Sequence, residues 1–241
     1  MDTTYRKVDK ESYINYMYCL LALSTETVHN KIVLGLPLSQ FSNDRTELIN
    51  MVMHNNNKIV NINGEEKPII IDDVAVMPEG ISTLPEGVDS IIVDVGGLTT
   101  DVALVTYVRG KRKIENPISI ATGTIHLYTD FINKLNNKYS LDLKFDDAER
   151  ILENGLTLDG NKKDIDFALQ MHKSFYKDLV NQLQVTYSIR TNPTSLTGGG
   201  ASIIYDSLKS KFGDGVTIQD NPIFANARNF YELGTSIFKE D

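Results

Sequence analysis

Apolar and polar positions in this chain follow two periods, and the switches between them mark the elements. Over 10–24, KESYINYMYCLLALS, the spacing predicts a helix, with Tyr13, Met17, Leu20, Leu21 and Ser24 on one face and Ile14 and Tyr18 beside it. Asp9 is placed to cap it. Residues 31–38, KIVLGLPL, read as a short buried strand ended by Gly35 and Pro37. A second helix is expected over 43–54, with Asp44 and Glu47 spaced as a capping box. KIVNI and KPIII flank Asn63-Gly64, a strong hairpin signal, and VAVM then leads to Pro78-Glu79-Gly80. After the link ISTLPEGVD (81–89), the run Ile91–Val93 ends at Asp94, two glycines follow, and a β-rich run leaves from Val102 to Val108. Strand, glycine turn, strand predicts a second hairpin.

Beyond it, the basic tip RGKRK (109–113) reads as a solvated turn. Residues 117–123 form a strand ending at Gly123, and 124–137 a helix that buries Ile125, Tyr128, Phe131, Ile132 and Leu135. Residues 138–163 turn polar and acidic, with a short helix near 145–154, and read as a small inserted subdomain. A long helix over 164–190 stops at Asn192-Pro193. Strand TSLTG, the glycine loop 198–200, a helix over 201–212, a strand near 216–218 and a helix from about 225 complete an α/β order.

Composition narrows the picture modestly. The chain has 241 residues, 41% hydrophobic and 23% charged, enough for one large or two small domains. Its net charge of −8 argues against unassisted binding to nucleic acid, which needs a basic footprint. The single cysteine, Cys19, lies in an apolar run, so no disulfide forms within the chain and a reducing cytoplasm is the expected setting. No apolar run reaches bilayer length, and the N-terminus lacks a signal-peptide pattern. The four histidines show no metal-ligand spacing.

Chemistry concentrates at three places. Gly96 and Gly97, lacking Cβ atoms, let a bulky anion approach the backbone, and Thr99 and Thr100 add hydroxyls. Asp94, at the strand end, is suited to hold Mg²⁺ through water. Asp101 has two open roles, bracing the hairpin or acting as a ligand. Gly198, Gly199 and Gly200, between a strand and a helix, offer a flat bed for a purine ribonucleoside. Glu79, after Pro78 at a strand end, can orient or deprotonate an attacking water.

The segment 90-SIIVDVGGLTTDVALVTY-107 resembles the second phosphate motif of the actin-like ATPase superfamily, and 196-LTGGGASII-204 resembles its adenosine motif. Residues 74-VAVMPEG-80 and 221-NPIFANARNFYELG-234 are similar to the plasmid-segregation branch, ParM or StbA. The resemblance runs from about residue 10 to 238. It implies an actin-like (ribonuclease H-like) ATPase fold, α/β, with a mixed sheet flanked by helices. It implies ATP and Mg²⁺ as cofactors. It makes Glu79 and Asp94 catalytic, Asp94 the contact to metal-bound water, and Gly96, Gly97, Thr99, Thr100 and Gly198–Gly200 the nucleotide bed. Filaments that segregate plasmid or phage DNA through a DNA-binding, ParR-like adaptor are the implied role, in the bacterial cytoplasm, with no direct nucleic acid or membrane contact.

The superfamily's first phosphate hairpin has no counterpart before residue 90. The expected organisation is therefore a remnant of the first actin-like domain in 1–80 and the second domain in 81–241, with its insertion at 138–163. A truncated product and an expressed fragment fit equally. Self-association or a domain-swapped dimer is expected of the uncovered apolar surface near 31–37. Weak turnover is expected of half a phosphate clamp. Two other readings are a non-catalytic interaction module of this fold and a small-molecule kinase of the same superfamily.

Overall fold

The computed structural model describes residues 6–10, 12–81, 84, 87–109 and 111–239. Four residues of the 81–89 link (Ser82, Thr83, Pro85, Glu86), and Gly110 of the basic tip, lie outside the described residues. The chain packs as two units. One is Met1–Pro85 with Phe224–Asp241, and the other is Glu86–Ile223.

The first unit contains helix α1 (Tyr13–Ser24), strand β1 (His29–Leu36), helix α2 (Leu38–His54) and strands β2 (Asn57–Ile62) and β3 (Glu65–Pro78). Its sheet has the order β1-β3-β2, with β1 parallel and β2 antiparallel to β3. Asn63 and Gly64, at φ 53° and 93°, turn β2 into β3, as Asn-Gly predicts for a primed turn. Tyr18 and Ala22 of α1, Leu48 and Val52 of α2, and Ile69, Ile71 and Val76 of β3 share its core.

Two local readings of this unit need correction. Helix α2 begins at Leu38 rather than 43, because Pro37 takes the N-cap position, where a missing N–H costs nothing. Asp44 and Glu47 are therefore interior and form no capping box. Both instead accept hydrogen bonds from Arg6, at 2.8 and 2.9 Å. Asp9 caps nothing either. It lies in a 3-10 turn, Lys7–Asp9, and Ser12 stands before α1 without a side-chain cap bond.

The second unit contains β4 (Ser90–Val95), β5 (Thr100–Val108), β6 (Lys111–Ile120), α3 (Thr124–Tyr139), α4 (Asp147–Asn154), β7 (Leu156–Leu158), β8 (Asn161–Lys163), α5 (Gln170–Val185), β9 (Thr194–Thr197), α6 (Ala201–Phe212) and β10 (Val216–Ile218). Its five-stranded sheet has the order β10-β9-β4-β5-β6. β4 is antiparallel to β5 and parallel to β9, and β9 is parallel to β10. All six residues of β4 are buried, as a central strand covered on both faces requires. The insertion, α4 with the β7–β8 hairpin, packs Ala148, Ile151 and Leu156 against Phe131 and Leu135 of α3.

The lysines and arginine of 111–113 lie in β6, not in a turn. β6 is an edge strand, and charge along an edge discourages pairing with another chain. The helix expected over 164–190 is split into a 3-10 turn, Asp166–Leu169, and α5, which ends at Val185.

A bulge in β6 shows how side chains finish this sheet. Val102 faces Ile118 and Leu104 faces Glu115, so Asn116 and Pro117 together oppose Ala103. Asn116 sits at φ 50°. Tyr187, 1% exposed, places its hydroxyl between the carbonyls of Val102, at 3.2 Å, and Asn116. Burial pushes that phenol up to about 12. Tyr187→Phe leaves these carbonyls without their donor and is expected to lower stability by about 1–2 kcal/mol in urea titration. An unchanged midpoint would mean that water replaces the hydroxyl.

Helix α7 (Ala225–Ile237) belongs to the first unit, whereas the sequence placed it with 81–241. Gly80 donates its N–H to Asn226 Oδ1 at 2.6 Å. Gly234 lies so close to β1 that a Cβ there would stand 3.1 Å from Val33. Among the described residues no helix is long and apolar enough to cross a membrane.

Candidate functional site

In the second unit, two glycine loops meet at the carboxyl ends of β4 and β9. The turn between β4 and β5 is closed by Gly96 N–H to the Thr99 carbonyl, 2.9 Å. Helix α3 starts on top of that turn. Thr124 donates to Gly96 O at 3.0 Å and Ile125 to Gly97 O at 2.9 Å. Gly123, the N-cap of α3, is pressed so closely that a Cβ would stand 2.5 Å from Gly96 O. The expected meeting of strand, glycine and helix therefore has a physical cause: backbone lies directly on backbone.

The second loop follows β9. Gly198 takes φ 83°, and a Cβ there would stand 2.4 Å from Asp94 Oδ1 and 2.5 Å from the Val95 carbonyl. Gly200 donates to Val95 O at 2.9 Å, and its missing Cβ would collide with Val95 Cγ1 and Thr124 Cγ2. The parallel register sets this, placing Asp94 beside Thr197. Asp94, Gly96, Gly97, Thr99 and Gly198–Gly200, widely separated in sequence, thus form one surface. Gly97 and Gly199 are its exposed crests, while Asp94 is buried at 7% exposure.

Thr100 departs from its expected role. It is fully buried, and its hydroxyl donates to Thr122 O at 2.8 Å, so it braces the hairpin instead of facing a phosphate. Thr99 is half-buried and donates to Asp101 Oδ2 at 3.2 Å. Asp101 faces Asp94 across the β4–β5 ladder, so two carboxylates sit side by side at the base of the turn. Among the described residues no group of three His, Cys, Asp or Glu side chains is arranged to hold a metal. A hard cation here fits only with most of its shell supplied by water and phosphate, the habit of Mg²⁺.

A cavity of about 560 Å³ opens beside the first turn of α6. Tyr128, Glu149, Lys173, Tyr176, Ser202 and Asp206 are among the residues that line it, with His172. Burial drives the Tyr128 phenol up, with Glu149 and Glu153 adding to the shift, and drives the His172 imidazole down. Rings for stacking and carboxylates for accepting hydroxyl protons suit a base and ribose better than a phosphate. The sequence reading missed this cavity. Its one signal was Ser202 and Asp206, one helical turn apart just after Gly200.

Glu79 lies in the first unit, at the end of β3, with its N–H donating to Leu36 O at 2.9 Å. Its carboxylate is engaged by the Lys7 ammonium, which also donates to Gly35 O at 3.0 Å. Lys7 had no role in the sequence reading. Nothing in the spacing of residues 7 and 79 announces the pair.

Comparison with known proteins gives two family models. Residues 92–210 match the C-terminal model of the archaeal actin homologue MreB-like family, and residues 1–81 match the N-terminal domain model of actin-like proteins. No curated protein matches the chain. Among solved structures, the archaeal actin homologue Ta0583 superposes with a TM-score of 0.77 at 18% identity, over 97% of this chain and 77% of that one. Its complex with ADP gives 0.74 at 16% identity, over 96% and 80%. A 15-stranded ParM filament from Clostridium botulinum gives 0.73 at 19% identity, over 95% of this chain and 76% of that chain. These likenesses bear out the actin-like fold expected from the sequence.

Proposed function

Because both family models that match this chain describe actin homologues and its fold is actin-like, we propose that it binds ATP·Mg²⁺ and self-associates into filaments. The reading is of the ParM or StbA type, in which filaments segregate plasmid or phage DNA in the bacterial cytoplasm. The observation that carries it is the close seating of Gly198 and Gly200 on Asp94 and Val95, which joins two backbone-lined loops into one anion-accepting surface. One of the similar structures is a complex with ADP and another is a filament.

The phosphate tail lies over Gly97, Thr99 and Gly199 in this reading, and the base and ribose enter the cavity beside α6. Asp94 is the residue that would hold Mg²⁺, and such an ion would supply positive charge to the phosphates. Glu79 orients the attacking water, and Lys7 restrains it. With one phosphate hairpin rather than two in these residues, weak turnover is expected. The net charge of −8 fits a protein that reaches DNA through a basic, ParR-like adaptor.

Calorimetric titration of ATP·Mg²⁺ into the chain, followed by sedimentation with ATP, is the test. Saturable heat and nucleotide-dependent pelleting are expected. Absence of heat from a chain shown to be folded by circular dichroism would sink the nucleotide reading. The Lys7–Glu79 pair also favours a second reading, a module that binds nucleotide without hydrolysing it. Binding with no phosphate release would select that one.

A further inference from the structure

Helix α5 carries a histidine in a setting that suits a phenylalanine better. His172 packs against α3 on the wall of the cavity beside α6. Both of its ring nitrogens are buried, and neither has a hydrogen-bond partner among the described residues. The fully buried Phe131 of α3 meets the imidazole at 76°, with ring centroids 5.9 Å apart, and offers no acceptor. A neutral imidazole brings one donor and one acceptor, so two polar groups already go unmatched there. Protonation adds a second donor and a full charge to the same place.

The charged neighbours do little to offset that burden. Asp130 of α3 favours the protonated ring, and Lys134 of α3 opposes it. The Lys134 ammonium lies 2.8 Å from the Asp130 carboxylate, so that negative charge is matched before the imidazole titrates. Helix α4 brings Glu149 and Glu153 to the same cavity, and α6 brings Asp206. Helix α5 itself adds Lys173 and Tyr176, α3 adds Tyr128, and the 3-10 turn ahead of α5 adds Leu169. None of them bonds a ring nitrogen. Burial is the largest influence on the imidazole and holds it below its ordinary value.

We propose that His172 is an acid-sensitive latch between α3 and α5. In its neutral form it lets the two helices lie together. Once protonated it must reach water, and the packing around Phe131 has to open to admit it. Tyr128 of α3 and Phe175 and Tyr176 of α5 wall the cavity from both sides, so opening the latch dismantles it. The sign is fixed. The unfolded chain takes up the proton near the ordinary 6.5 and the folded chain only at lower pH, so this contribution to stability is complete above 6.5 and is lost as pH falls below it. The inference does not depend on what fills the cavity, so it and the nucleotide reading can fail separately.

The test uses the full chain. NMR follows the His172 imidazole, assigned in the parent protein, through a pH titration. A midpoint below 6.5 is expected, and one at or above it would overturn the inference. This titration needs no variant, so it decides even where a substitution unfolds the chain. Urea unfolding is then compared for the parent, His172→Phe and His172→Gln. His172→Phe keeps the ring contact with Phe131 and loses no hydrogen bond. Between about pH 6.5 and about pH 5.5, the parent's unfolding constant should rise by up to about tenfold more than that of either variant. His29, His54 and His126 are common to all three proteins, so their titration cancels in the comparison. Equal pH dependence in parent and variants would overturn the proposal. Amide exchange at one acidic pH, where intrinsic rates cancel, tells a local latch from a global loss. Severalfold faster exchange in α3 and α5 of the parent than of His172→Phe is expected, and equal exchange would overturn the latch.

Discussion

Gly198→Val is expected to lower the stability of the chain by roughly 3 kcal/mol or more, the sum of two separate costs. The first is conformational. Gly198 holds φ 83°, and a β-branched residue in that region is strained. The second is steric. The new Cβ would stand 2.4 Å from Asp94 Oδ1 and 2.5 Å from the Val95 carbonyl, and neither atom lies at the end of a long flexible side chain. Gly213→Ala separates the two. Gly213 takes φ 78° with nothing within 4 Å, so only the conformational cost, about 1–3 kcal/mol, applies. Gly199→Ala completes the comparison. Its Cβ would meet only Ile223, at 3.8 Å, and the residue is exposed. Its stability should stay within about 0.5 kcal/mol of the parent, while ATP affinity falls, because the added methyl occupies the proposed phosphate bed. Urea titrations of all three variants decide this. Equal losses at 198 and 213 would show that the loops do not press together as described.

The second large effect is expected at Asp94, the proposed contact to Mg²⁺. Asp94→Asn keeps the shape of the side chain and one carbonyl oxygen but removes the negative charge. Affinity for ATP·Mg²⁺ should fall about tenfold or more, close to 1.4 kcal/mol. Affinity for ADP with the metal chelated should change much less, because no carboxylate–cation attraction is then at stake. Isothermal titration with and without chelator reads both. If both affinities fell alike, Asp94 would be acting through the seat of Gly198 and not through a cation.

The parts of this molecule that were legible in the sequence are those whose physics is local. The Asn63-Gly64 turn, the β4–β5 hairpin, the loop 198–200 with α6 after it, and the start of α7 all rest on glycines, turn residues or periodicity within a few positions. The misread parts have distant causes. The early start of α2 depended on treating Pro37 as an opening rather than a stop. Asp44 and Glu47 had the right spacing for a cap, but their partner, Arg6, lies more than thirty residues away in sequence. The charged start of β6 looked like a solvated tip because an edge strand and a surface turn share a composition. Thr100 and Thr99 are neighbours of the same kind. Only the strand ladder shows that one hydroxyl is buried against Thr122 while the other stays half exposed. The cavity beside α6 draws on four helices, and its polar contributors, such as Glu149, Lys173 and Ser202, each look like an ordinary surface residue on their own element.

The pairing of Ile91 with Thr194 and of Asp94 with Thr197 carries a kinetic consequence. The two glycine loops come together only when β4 and β9 align, and that is the strand pairing of greatest sequence separation in the second unit. Contacts of such sequence separation are slow to form, because loop entropy is lost before any contact compensates it. The hairpins and the insertion, whose pairings are local, have no such delay. The proposed nucleotide surface is therefore expected among the last things to appear as the chain folds, after most of the secondary structure. A ligand that needs both loops cannot hasten that search. It acts afterwards, by prolonging the lifetime of molecules that have already completed it.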